Sequence, residues 1–91
     1  MTREEILANA KQCVCGGREQ DYGTPENSFR KIAALWTAYK EEIFTPKDVA
    51  MMLALLKVAR IYAGDKADSF VDLAGYAACA GEIATQVDER K

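Results

Sequence analysis

Apolar residues recur at helical spacing through most of this chain, and strand-like alternation is absent. Ile6, Leu7, Ala10, Cys13 and Val14 form one stripe; Phe29, Ile32, Ala33, Trp36 and Tyr39 form a second. Punctuation sets the limits of each. Thr2-Arg3-Glu4-Glu5 is a capping box, in which the threonine hydroxyl accepts a leftover first-turn N–H and Glu5 accepts from the cap itself. Gly16-Gly17 then ends the helix. Thr24-Pro25-Glu26 and Thr45-Pro46-Lys47-Asp48 both open a helix with a cap, a proline at the first helical position and an early acid. Gly64 closes the third helix, and Asp65 or a neighbour caps a fourth. The pattern predicts four helices near 2–15, 25–42, 46–63 and 66–88. Arg18 to Gly23 reads as a polar loop turning at Tyr22-Gly23, and 89–91 as a frayed tail.

The third segment departs from amphipathic patterning. Val49, Ala50, Met51, Met52, Leu53, Ala54, Leu55, Leu56, Val58, Ala59 and Ile61 place apolar groups on every face, which is the signature of a central helix. Four helices can cover only part of such a surface, so a second chain is the expected cover. The fourth segment is rich in small residues over Gly75-Tyr76-Ala77-Ala78-Cys79-Ala80-Gly81. Two mid-helix glycines cost roughly 1 kcal/mol each relative to alanine, a cost that close approach of another backbone would offset. The expected architecture is one all-α domain over 1–91: a four-helix, mostly antiparallel bundle that forms a homo-oligomer, dimer or tetramer.

Bulk properties narrow the function classes. With 91 residues the chain forms one small domain, which buries a modest share of its surface and gains from association. Apolar residues are 49% and charged residues 29%, a globular composition. A net charge of −2 without a Lys/Arg block disfavours nucleic acid as a partner, while leaving room for a small phosphorylated ligand in a local basic pocket. The start of the chain lacks the apolar region of a signal peptide, and Val49 to Ala63 is too short and too interrupted to span a membrane. No membrane association and a cytoplasmic location are therefore expected. Cys13, Cys15 and Cys79 are odd in number and accompanied by no histidine, so they read as small packing residues in a reducing compartment.

Candidate chemistry comes from charges within the apolar pattern. The third and fourth helices are joined by a short turn and should pack antiparallel. That puts Lys57 level with Asp72, and Arg60 level with Asp68 or Ser69. Asp68 and Asp72 stand four apart and share a face, as do Lys57 and Arg60 at three apart. Tyr76 extends the group by one turn. The same construction puts Asn27 and Ser28 level with Arg60 and Ile61, with Tyr22 in the adjoining loop. Two carboxylates on one face can hold Mg²⁺ that takes its other ligands from water and phosphate. Arg60 and Lys57 would neutralise phosphate; Tyr22 would stack on a base, and Asn27 would read a base edge or sugar. The same spacing fits a structural alternative, in which Lys57–Asp72 and Arg60–Asp68 are ion pairs that set register. Asp65 and Asp68 are also ordinary helix-start acids, and Asp48 a capping partner.

These residues together resemble a family. Arg18…Asp21-Tyr22-Gly23…Asn27-Ser28-Phe29, Ile32-Ala33…Leu35-Trp36, Asp48-Val49-Ala50-Met51-Met52…Lys57-Val58-Ala59-Arg60 and Asp68-Ser69…Val71-Asp72-Leu73-Ala74-Gly75-Tyr76-Ala77 are similar to a family of small phage and prophage proteins, a domain of unknown function. The likeness covers about 18–82. More distantly the chain resembles the MazG-like all-α nucleotide pyrophosphohydrolases, short oligomeric bundles that use Mg²⁺ to split nucleoside triphosphates. That resemblance implies Asp68 and Asp72 as metal ligands, a catalytic set of Asp72, Asp68 and Lys57, and substrate contacts from Arg60, Tyr22, Asn27 and Tyr76. The EExxE cluster of the enzymes' earlier metal helix has no counterpart, because Lys57 and Arg60 occupy the facing helix. Further ligands would come from Glu19, Asp21, Glu26 or a second subunit. The alternative function is a non-catalytic oligomeric phage accessory protein that binds a protein partner.

Overall fold

The computed structural model describes residues 1–16 and 24–89, with side chains as far as residue 86. Four helices follow the sequence punctuation: α1 Arg3–Cys15, α2 Pro25–Lys40, α3 Pro46–Ala63 and α4 Ala67–Glu89. No strand occurs among the described residues. The polar loop 18–23, with Tyr22, lies outside them.

The predicted caps form. Thr2 accepts from the Glu5 backbone at 3.1 Å and Glu5 accepts from the Thr2 backbone at 3.2 Å. Thr45 and Asp48 repeat the reciprocal pair at 3.1 and 3.0 Å. Thr24 caps α2 through the Asn27 backbone. The start of α4 falls beside a neighbour of Asp65, within the expectation. It begins at Ala67, and no hydrogen bond from the Asp65 side chain is found among the described residues; the turn instead uses Lys66, whose N–H donates to the Gly64 carbonyl and whose carbonyl accepts from Ser69. The end of α2 comes two residues earlier than predicted, because Glu41 enters the left-handed region at φ 58°. The Phe44 N–H then donates to the Thr37 hydroxyl at 2.9 Å, and the Phe44 ring meets Trp36 edge-on at 5.8 Å. These contacts draw the chain back toward α2.

The core joins Phe29 and Ala33 of α2, Val49 and Ala50 of α3, and Cys79, Ala80 and Ile83 of α4. Ile32, Trp36, Phe44, Leu53 and Tyr76 pack around it. α4 packs against each of the other three helices, most extensively against α3. α1 packs tightly against α4 at Gly75: a Cβ there would stand 3.1 Å from the Val14 side chain. Gly81 has open space instead, and the neighbour at Gly75 is a side chain, so the close backbone approach expected at these glycines is found at neither among the described residues.

The level predicted for α2 is displaced. Antiparallel alignment on α3 would bring Asn27 and Ser28 level with Arg60 and Ile61. Phe29 and Ala33 pack instead with Val49 and Ala50 at the other end of α3. α2 therefore turns across the hairpin of α3 and α4, and its start faces the C-terminal half of α4.

Candidate functional site

Lys57 occupies the same side of α3 as the buried Ala50 and Ala54, facing α4. An ammonium there needs a counter-charge, and Asp72 supplies it: the Lys57 Nζ stands 2.9 Å from the Asp72 Oδ2. The lysine side chain retains 15% exposure and the aspartate 39%, so the pair is half-sheltered. The expected level of Lys57 on Asp72 is thus met.

Asp68 and Asp72 line a cleft of about 370 Å³ between α1 and α4, together with Asn9, Gln12, Cys13 and Val71. The α1 contribution was legible in part, since Asn9, Gln12 and Cys13 follow at i, i+3 and i+4 and share one face. Cys13 and Cys15 are exposed, which overturns their reading as packing residues; Cys79 is buried in the core.

The remaining candidates are dispersed. Arg60 is exposed and makes no ion pair with Asp68 among the described residues. Tyr76 lies against the core with its ring 6.4 Å from that of Phe29. Asn27 lines a different cleft of about 340 Å³, with Arg30 of α2 and Glu82 and Gln86 of α4. Residues 68 and 82 are fourteen positions apart on one helix, or roughly 20 Å at 1.5 Å per residue. Asn27 therefore does not converge with the two aspartates. Glu26 belongs to this second cleft and pairs with Arg30 at 3.0 Å. Tyr22, Glu19 and Asp21 fall outside the described residues.

Two carboxylates, one of them held by a lysine, fall short of the donor set an Mg²⁺ cluster uses. No group of three or more Asp, Glu, Cys or His placed to hold a metal occurs among the described residues. The fit for Mg²⁺ is incomplete on these residues alone.

A different surface stands out on the outer side of α3. Met51, Leu55, Val58 and Tyr62 are exposed, Tyr62 at 95% and Leu55 at 63%. Their spacing of four, three and four keeps them in line along one helix face. Met52 and Leu56, also exposed, stand beside them. By contrast Val49 is the one large side chain fully enclosed among the described residues. Both the segment's apolar character and this spacing are visible in the sequence; which side the other helices leave bare is not. No described helix is long and apolar enough to cross a membrane.

Comparison with known proteins places this sequence among phage relatives. Residues 5–84 match a family described as a domain of unknown function (DUF6378). The Gene 55 protein of Mycobacterium phage L5 is 45% identical over 87 residues, covering 93% of this chain and 56% of that protein. The Gene 55 protein of Mycobacterium phage D29 is 41% identical over 81 residues, covering 88% and 54%. The chain spans about half the length of these curated relatives. No solved structure matches it. The likeness to MazG-like enzymes has no counterpart in these matches.

Proposed function

The chain belongs to the DUF6378 family of unknown function, and on that premise we propose that it is a non-catalytic assembly module whose working surface is the outer face of α3, covered by a second copy of the chain. The observation that carries this reading is the in-line row Met51, Leu55, Val58 and Tyr62, exposed on a helix whose opposite side is core. Isolated exposed apolar side chains are ordinary, but a continuous apolar row marks an interaction surface. Under this reading Lys57–Asp72 is a structural pair that holds α3 on α4 in one register. The pair accounts for both charges without a ligand.

A second reading has one observation in its favour: Asp68 and Asp72 share the α1–α4 cleft beside Lys57. It makes the protein a nucleotide-binding module, or a pyrophosphohydrolase of MazG-like type, with Arg60, Tyr22, Asn27 and Tyr76 recruited to substrate. The separation of Asn27 and the outward position of Arg60 weigh against it.

One experiment addresses both. Canonical and modified nucleoside triphosphates are screened with Mg²⁺ or Mn²⁺ for pyrophosphate release and for a thermal shift, while sedimentation follows mass. The assembly reading predicts an oligomer with neither turnover nor shift. Turnover abolished by Asp72→Asn, with fold and mass retained, would overturn it in favour of the enzyme.

A further inference from the structure

We infer that two copies pair through α3 in antiparallel direction, about a two-fold axis that passes between Leu55 and Val58; this rests on the self-association proposed above. Met51, Leu55, Val58 and Tyr62 follow at steps of four, three and four, the alternation that the apolar seam of two interlocking helices uses. Reversal about the centre sets Leu55 against the second copy's Val58 and Met51 against its Tyr62. An isologous interface requires this kind of self-complementarity. The exposed seam side chains of Met51, Leu55, Val58 and Tyr62 present on the order of 500 Å², with Met52 and Leu56 at the margin, toward the ~800 Å² per partner of a standard interface.

Charge at the two ends of the seam selects the direction. Lys47, four residues before Met51, lies on the seam side at its start, and Asp65 lies in the turn just past the helix end at Ala63; both are exposed. Antiparallel pairing brings Lys47 level with the turn after the second copy's α3, where Asp65 and Lys66 stand side by side, twice over by symmetry. Parallel pairing would bring lysine to lysine and aspartate to aspartate. The helix dipoles favour the same choice, since each positive N-terminus then lies beside a negative C-terminus.

A spin-label distance separates the possibilities. Exposed Cys13 and Cys15 are replaced by serine, and Lys66→Cys carries the label just beyond the seam. Antiparallel pairing places the two labels roughly 30 Å apart, from twice nine or ten residues at 1.5 Å each. Parallel pairing places them roughly 10 Å apart, the spacing of packed helices. Sedimentation on the same sample reports mass. A dimer with the long distance is the expected result. A dimer with the short distance overturns the antiparallel inference and leaves self-association standing. A compact monomer overturns both, and assigns the α3 face to a different protein. As a second readout, Val58→Glu, beside the axis, should weaken the dimer severalfold; an undiminished dimer counts against the pairing.

Discussion

Removing the charge of Asp72 tests whether its pair with Lys57 locks the helices. Asp72→Asn preserves shape but leaves an ammonium, 15% exposed, facing α4 without its carboxylate. Breaking a buried pair costs about 3–5 kcal/mol, whereas an exposed pair contributes about 0–1 kcal/mol. Asp72 is 39% exposed, so water screens much of the interaction, and the expected loss is about 1–2 kcal/mol. In a domain of this size that lowers Tm by roughly 4–16 °C. Lys57→Met keeps the length and apolar stem of the side chain while removing its charge. In that background Asp72→Asn should cost little, giving a coupling of about 1 kcal/mol in a double-mutant cycle. The assay is urea unfolding followed by far-ultraviolet circular dichroism, at fixed protein concentration because association adds to apparent stability. Additivity within about 0.3 kcal/mol would refute the register role.

Three further outcomes follow from local structure. Val49→Ala, at a side chain with no exposure, should cost about 2–3 kcal/mol from two lost methyl groups and the cavity left behind, read as a lower urea midpoint. Glu41→Gly should raise stability by up to about 1 kcal/mol, because Glu41 sits at φ 58°, where a β-carbon is strained; an unchanged or lower Tm would contradict this. Glu5 and Asp48 are held below the usual carboxylate range, first by accepting from the backbone N–H of Thr2 and Thr45 and second by the hydroxyls of the same residues. Their folded pKa values are depressed, so their contribution is complete above the ordinary carboxylate range and is lost as pH falls through the lowered values. An acid titration of stability in Asp48→Asn should accordingly show a shallower decline than in the native chain.

Local chemistry explains why the elements were legible and their arrangement only partly so. Caps such as Thr2–Glu5 and Thr45–Asp48 act over three residues, so the sequence states them directly. The level of Lys57 on Asp72 follows from a turn too short to allow anything but a hairpin. The placement of Asn27 failed because the link after α2 does not simply reverse the chain. Glu41 in the left-handed region, the bond from the Phe44 N–H to Thr37 and the packing of Trp36 on Phe44 redirect it. The destination of Phe29 and Ala33 against Val49, Ala50 and Ile83 is a long-range packing choice, which spacing along one helix does not encode. The same limit applied to α3. Its apolar character was plain, but the bare side emerges only once α4 and α2 have taken the other.

The central claim is that the outer face of α3 is covered by a second copy. Sedimentation equilibrium on the native chain and on Leu55→Glu tests it most directly. Leu55 is 63% exposed, so the substitution should leave the helices of a single chain intact. The native chain should sediment at a multiple of its 10.0 kDa monomer mass, and the variant at 10.0 kDa with an unchanged circular-dichroism spectrum. A native chain at 10.0 kDa at micromolar concentration, or a variant that associates as well as the native chain, would contradict the account.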